Sequence, residues 1–266
     1  MTESYDLDKF AVQRSFNRAS NTYDGMAQLQ RNVGLDLLKR FEFSKLNGTV
    51  LDLGCGTGFL THELSQFPMS MPMNRTIFAL DIAISMLRLA RSKSDMSYIC
   101  ADIEKLPVQS ECIDWIFSNL SLQWCSNLDQ VFRNFRRILR PDGQFMFSTF
   151  GPKTLHELKA AWASVDHFNH VNQFTSDHLL SEIINHAGLQ VIALENHQYL
   201  SKYLDVFALM RELKGIGAHN VTQGRNKTLS SKGQLRKMTL AYEQLRTDDY
   251  LPATFDVIFV YGKVKK

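Results

Sequence analysis

The stretch Thr49-Val50-Leu51-Asp52-Leu53-Gly54-Cys55-Gly56-Thr57-Gly58 constrains the fold of this chain more than any other. Val50, Leu51 and Leu53 form a short apolar run suited to a strand covered on both faces. The glycines that follow let the backbone turn sharply and leave room for a ligand to approach the main chain. Phe59 to Leu64 then reads as a helix, with Leu60, Leu64 and Phe67 on one face. Strand, glycine turn and helix N-terminus together make a ligand site at the carboxyl end of a parallel sheet.

The rest of the chain supplies that sheet. Residues 76–80, 98–101, 113–119 and 144–150 read as further strands, and helical periods alternate with them. Between 128 and 139 the apolar residues keep a clean helical spacing, with Arg133, Arg136, Arg137 and Arg140 outward, up to the turn Pro141-Asp142-Gly143. Such alternation predicts a doubly wound α/β sheet. Residues 151–174 read as a helical excursion. Ser176–Ala187 is an amphipathic helix closed by Gly188, 189–194 a sixth strand, and Phe255–Gly262 a final alternating strand. Two helices, one ending near Asn21 and one over Ala27–Phe41, precede the first strand. The expected organisation is a helical leader at 1–47 lying over the site, a core at 48–196 and 251–266 that contains the excursion, and a helical insertion at 197–250. There is no internal repeat.

Charge is unevenly spread. The chain carries a net charge of only +3, too little to imply nucleic-acid binding. Ser201 to Arg246 holds nine basic residues against Asp205, Glu212 and Glu243, a local balance of +6. It reads either as a solvated basic face or as a docking surface for an acidic partner. The arginine face at 133–140 lacks outward aromatics and reads as a solvated helix surface. Cys55, Cys100, Cys112 and Cys125 lie in apolar runs without a CxxC pair, as small core hydrophobes of a reducing compartment do. There is no histidine cluster at metal spacing. The first residues are acidic and lack a signal-peptide core, and no run reaches membrane-spanning length, so the expected location is the cytoplasm.

The ligand follows from spacing. A dinucleotide fold wants G-x-G-x-x-G, whereas here the glycines stand at 54, 56 and 58 with no basic residue in the loop; a P-loop lysine is also missing. Asp81 ends the second strand, where a carboxylate suits a vicinal diol, and Asp102 ends the third, where one accepts from an exocyclic amine. Ile82 and Ile103 would flank a base, and Asp52 would lie near a cationic amino group. A nucleoside bearing a positive, phosphate-free group fits this set: S-adenosylmethionine.

These residues resemble the class I methyltransferases over about residues 48–195 and 254–264. The resemblance implies a seven-stranded, mostly parallel sheet with a reversed last strand. It also implies cofactor contacts at Gly54, Gly56, Asp81, Ile82, Asp102, Ile103 and Asn119, and no metal. A narrower resemblance covers nearly the whole chain. Phe16-Asn-Arg-Ala-Ser-Asn-Thr-Tyr-Asp, Ser118-Asn-Leu-Ser-Leu-Gln-Trp-Cys, His170-Val-Asn-Gln-Phe and Leu213-Lys-Gly-Ile-Gly-Ala-His-Asn are similar to the malonyl-acyl carrier protein O-methyltransferases of biotin synthesis. The loop Pro68–Asn74 departs from that pattern by a mild expansion.

That likeness implies methylation of a malonyl thioester's free carboxylate. The carboxylate is ionised at neutral pH and needs no general base, so none is named. An arginine clamp would blunt the nucleophile, and neutral groups are expected instead: Tyr23, Gln123 and Trp124. His167 and His170 read as structural. The implied partner is an acidic carrier protein docking on Lys202, Arg211, Lys214, Arg225, Lys227, Lys232, Arg236 and Lys237, with neither nucleic acid nor membrane involved. Competing readings are a methyltransferase for another small carboxylic acid or polyketide-type substrate, and a non-catalytic cofactor- or nucleic-acid-binding protein.

Overall fold

The computed structural model describes residues 7–40, 46–66, 75–218, 220 and 230–265. The loop Pro68–Asn74, Phe41, Arg225 and Lys227 lie outside them. Seven strands form one sheet: β1 Gly48–Leu53, β2 Arg75–Asp81, β3 Ser97–Cys100, β4 Ile113–Asn119, β5 Leu139–Phe150, β6 Leu189–Tyr203 and β7 Leu251–Val264. Their spatial order is β3-β2-β1-β4-β5-β7-β6, parallel from β3 to β5, with β7 antiparallel to both β5 and β6. The expected α/β sheet with its reversed last strand is present.

Side-chain alternation divides the core into two layers. On one face Val50, Trp115, Phe117 and Met146 pack against helices α2 (Gln28–Lys39), α3 (Phe59–Gln66) and α6 (His156–Ala163). On the other, Leu51, Leu53, Ile116, Phe145 and Phe147 meet α5 (Leu128–Ile138) and α7 (Asp177–His186). Phe132 of α5 is tilted against Phe147 and Phe135 stands edge-on to Phe145, with centroids 5.6 and 5.9 Å apart. Fully burying side chains of this size contributes about 1.5–3 kcal/mol each, and the clean period of α5 is the sequence trace of that packing. Helix α4 (Ile84–Lys93) completes the first βαβ units.

Several boundaries move. The first helix, α1, runs Lys9–Met26, past Asn21, and α2 starts two residues later at Gln28. Asp8 caps α1 by accepting from the Ala11 amide at 2.9 Å. The Pro141-Asp142-Gly143 turn falls inside β5 as a register shift: Ile113 pairs with Leu139, but Trp115 pairs with Gln144. Arg140 therefore leaves the helix face, and its Nη1 meets Asp114 Oδ2 at 2.6 Å. Arg137 is also engaged, donating to the Val108 and Leu106 carbonyls. Only Cys55 and Cys125 are buried; Cys100 is exposed at the sheet edge and Cys112 is half-buried, so those two are not core hydrophobes.

The largest revision concerns β6. It continues through Glu195-Asn196-His197-Gln198 to Tyr203, paired with β7 along its length. Both its faces are largely exposed at the sheet edge, so no apolar alternation marks it, and backbone pairing with β7 holds it in place. Residues 197–203, including Lys202, belong to the sheet rather than to an insertion. Lys202 Nζ sits 4.3 Å from the Tyr250 ring centroid. The helical segment between the strands comprises α8 (Val206–Gly215) and α9 (Lys232–Glu243), which pack on α1, α6 and each other. No described helix is long and apolar enough to cross a membrane.

Candidate active site

The glycine turn after β1 opens into a cavity of about 350 Å³. Its floor is the turn itself. Gly54 and Gly56 both have positive φ, 70° and 55°, a region that favours glycine. Their surroundings differ. A Cβ at Gly54 would lie 2.1 Å from Ser121 Oγ, whose hydroxyl donates to the Gly54 carbonyl at 3.0 Å. A Cβ at Gly56 would meet nothing within 4 Å. Gly54 is thus required by the neighbouring loop, and Gly56 leaves open space in the cavity.

Asp52, Asp81 and Asp102 all line this cavity, as the strand-end spacing predicts. Asp52 is 1 % exposed; its Oδ2 accepts from Thr61 Oγ1 at 2.6 Å, and Oδ1 is buried with no hydrogen-bond partner among the described residues. Burial pushes its carboxyl up to about 7, against the Thr61 hydrogen bond, with the Asp81 charge adding to the rise. Asp81 accepts at both oxygens from the chain itself, from Gly56 N at 2.9 Å and Ala83 N at 2.7 Å. Burial holds its carboxyl above the usual range, and these amides oppose the shift. Each carboxylate oxygen has a second lone pair, so acceptor capacity remains. Asp102 Oδ1 accepts from Glu104 N at 3.0 Å and from Lys9 Nζ at 3.2 Å. Ile82, Ile103 and Asn119 complete the predicted set on the wall. The Asn119 amide bridges elements, donating to the Gln30 carbonyl at 2.9 Å and accepting from Ser148 Oγ at 2.7 Å.

Helix α1 roofs the cavity and is tied to its rim. Lys9 also reaches Glu104 at 3.3 Å. Gln13 Nε2 donates to the Ile82 carbonyl at 2.9 Å, and Asn17 Oδ1 accepts from Ser85 N at 2.9 Å. Asp24 accepts from Thr57 Oγ1 and pairs with Lys93. None of these partners was legible in the sequence, since each joins residues 33–95 positions apart with no periodic signal.

A second, larger cavity of about 1030 Å³ lies beside the first. Its walls include Leu29, Phe150, Leu158, Trp162 and Phe174 from the core and Phe207 and Met210 from α8. His170, stacked on Trp162 at 3.7 Å and bonded to Asp166 at 2.8 Å, is part of its frame. Among the described residues, Gln30 and Trp124 line both cavities. Trp124 meets Phe16 of α1 edge-on at 5.3 Å. Tyr23 lines the first cavity, where burial and then the charges of Asp81 and Asp24 raise its phenol and keep it protonated. Gln123 lines neither: its amide is held by the Leu120 carbonyl and Thr149 Oγ1, and it faces a separate cleft next to α7. No group of three or more metal-ligating side chains occurs among the described residues.

Sheet order, reversed β7 and a glycine turn ringed by strand-end aspartates define a methyltransferase of the class I, Rossmann-like type. A family model described as a methyltransferase domain matches residues 44–208. Among solved structures, an S-adenosylmethionine dependent methyltransferase from Mesorhizobium loti shares the fold with a TM-score of 0.51 at 16% identity, over 86% of this chain and 96% of that one. Closer likeness comes from sequence. A malonyl-[acyl-carrier protein] O-methyltransferase of Methylovorus sp. is 40% identical over 97% of this chain and 89% of that protein. The biotin biosynthesis bifunctional protein BioHC of Cellvibrio japonicus is 38% identical over 96% of this chain and 50% of its own length. The chain belongs to the malonyl-[acyl-carrier protein] O-methyltransferase family.

Proposed function

We propose that this chain transfers a methyl group from S-adenosylmethionine to the free carboxylate of a malonyl group carried on acyl carrier protein, in the route to biotin. The observation that carries the reading is the pair of cavities meeting at Gln30 and Trp124, one floored by the glycine turn and one walled by apolar side chains.

The first cavity suits the cofactor on its own terms. The unpartnered Oδ1 of Asp52 is a buried acceptor awaiting a cation, Gly56 leaves its face open, and Asp81 and Asp102 keep lone pairs for hydroxyl and amine. Gly54, Ile82, Ile103 and Asn119 frame the rest. The cofactor supplies a sulfonium-activated methyl: the acceptor oxygen gains it, the bonding pair returns to sulfur, and no proton moves. The chain has only to hold the acceptor oxygen in line and keep water out. Helix α1 and Trp124 do the second, and a protonated Tyr23 presents a neutral donor at the same wall. The product is a neutral ester, and that is the chemical point: a free carboxylate is costly to bury in the apolar pocket of an enzyme that extends acyl chains.

Helix α1 with α8 and α9 acts as a cap over this core. Lys202, Arg211, Lys214, Lys232, Arg236 and Lys237 are all exposed, and Arg211 and Lys214 line the large cavity. This supports docking of an acidic carrier protein at the cap, its acyl arm entering beside α8.

The test is transfer of labelled methyl to malonyl carrier protein, malonyl-coenzyme A and free malonate. We expect the carrier to be the preferred acceptor. Equal activity on all three would favour a small-carboxylate methyltransferase, and cofactor binding without transfer to any would overturn the enzymatic reading.

A further inference from the structure

Resting on the carboxyl-methylating reading, we propose that Gln30 is the residue that positions the acceptor carboxylate. Methyl transfer has to occur where the cofactor cavity and the acyl cavity meet, and among the described residues only Gln30 and Trp124 line both. Trp124 offers one indole donor, and its ring is committed to an edge contact with Phe16. Gln30 is different. Its backbone is fixed: it lies in α2 beside Leu29, which is buried in the core, and its carbonyl accepts from Asn119 Nδ2. Its side chain is not: Oε1 is buried and, among the described residues, no hydrogen bond reaches it. A buried acceptor left bare costs the fold about 1–3 kcal/mol; a carboxylate cannot satisfy it, but an amide kept at that cost on the shared wall serves something other than the fold, and its NH₂ is the neutral donor that faces the cavities.

The ligand class follows from the group. An amide side chain can turn its NH₂ toward a carboxylate, donating without carrying charge. A neutral donor orients the oxygen while leaving it nucleophilic, whereas a guanidinium would hold the carboxylate more tightly and lower its reactivity. Arg18 lines the large cavity but not the cofactor cavity, and so lies off the line of transfer. Gln30 therefore reads the free carboxylate as distinct from the methyl ester product, which presents less charge to the same donor.

The experiment compares wild type with Gln30→Leu and Gln30→Glu in the malonyl-carrier assay, in calorimetric binding of S-adenosylhomocysteine, and in thermal melts. For Gln30→Leu we expect kcat to fall about tenfold to a hundredfold. Binding of S-adenosylhomocysteine should stay within about twofold, and Tm should be unchanged or raised, because an unsatisfied buried amide has gone. Carrier loaded with malonyl should also lose its binding advantage over carrier loaded with an uncharged butyryl group. Gln30→Glu should be slower still, recovering as pH falls and the new carboxyl protonates. A wild type active on malonyl carrier with Gln30→Leu within about twofold of it overturns this assignment alone. So does a Gln30→Leu protein that loses Tm and S-adenosylhomocysteine affinity along with rate, the mark of a structural role. A wild type inactive on malonyl carrier overturns the functional reading and this one with it.

Discussion

At the scale of single residues, Asp52 has the most to say about energetics. It is a carboxylate placed by a strand at the cavity wall yet almost wholly buried, with one oxygen bonded to Thr61 and the other without a partner among the described residues. Its pKa in the fold is raised to about 7, above the unfolded value of about 4. The stability it contributes is therefore complete below about pH 4 and lost as pH rises through about 7. Asp52→Asn should melt close to wild type near pH 4.5 and several degrees higher at pH 8, while binding S-adenosylmethionine at least about tenfold more weakly. In the wild type the same linkage makes cofactor affinity rise between pH 6 and 7.5. Melts across pH and calorimetry check both, and a pH-independent difference would mean that Asp52 is already ionised at pH 6. The candidate site was legible here because Asp52, Asp81 and Asp102 stand at or within two residues of the ends of β1, β2 and β3, and strand ends are where a parallel sheet puts its ligands. Thr61, Ser121 and Gln30 were not, because their roles come from atoms brought together across the fold and leave no spacing to read. Gln123 misled for the converse reason: it neighbours Trp124 in sequence, but the short 3-10 turn at Leu122–Trp124 sends it the other way.

At the scale of elements, α1 is a roof pinned at four places, by Lys9, Gln13, Asn17 and Asp24. Gln13 and Asn17 hold the segment after β2, at the Ile82 carbonyl and the Ser85 amide, immediately beside Asp81. Each such bond is worth about 0.5–1.5 kcal/mol net. Losing both should raise the dissociation rate of S-adenosylhomocysteine by about tenfold or more, with little change in Tm, since α1 packs in small clusters of its own apart from the main core. Stopped-flow release from the Gln13→Ala/Asn17→Ala protein, with amide exchange in α1 as the companion measurement, decides this. An unchanged release rate would mean that the ligand leaves without α1 moving. Elements with strong periods, such as α5 with Val131, Phe132, Phe135 and Ile138 inward, were readable from the chain because packing against the sheet imposes the period. The far half of β6 was not. Its residues Glu195 to Gln198 bury neither face; backbone pairing with β7 and surface contacts such as Glu195 with Arg40 and Asn196 with Asp177 hold them, and no periodic side-chain pattern records either.

At the scale of the whole molecule, charge and cavity share one end. Helices α8 and α9 carry Arg211, Lys214, Lys232, Arg236 and Lys237, all exposed, and α8 supplies wall to the larger cavity. A long-range attraction of this kind acts mainly on encounter and fades with salt over a Debye length of about 8–10 Å. Reversing Lys232, Arg236 and Lys237 to glutamate should raise the KM for malonyl carrier about tenfold at low salt, leave S-adenosylhomocysteine affinity intact, and shrink the difference as salt is added. A KM that is insensitive to both reversal and salt would place carrier docking elsewhere.

The reversed strand has a consequence for how such a chain comes into being. During synthesis β6 leaves the ribosome some fifty residues before β7, and in the finished sheet β7 is its strand partner and the second partner of β5. Until β7 arrives, β5 presents an open flank and β6 waits unpaired, with the cap already made. The last turn of assembly is an insertion between two strands held in readiness, and it is guarded by fit: at Gly262 a single added methyl would meet Phe145 at 2.2 Å. A nascent chain stalled before residue 251 is therefore the form of this protein that most needs a chaperone, whereas the βαβ units around the glycine turn have by then been free to close.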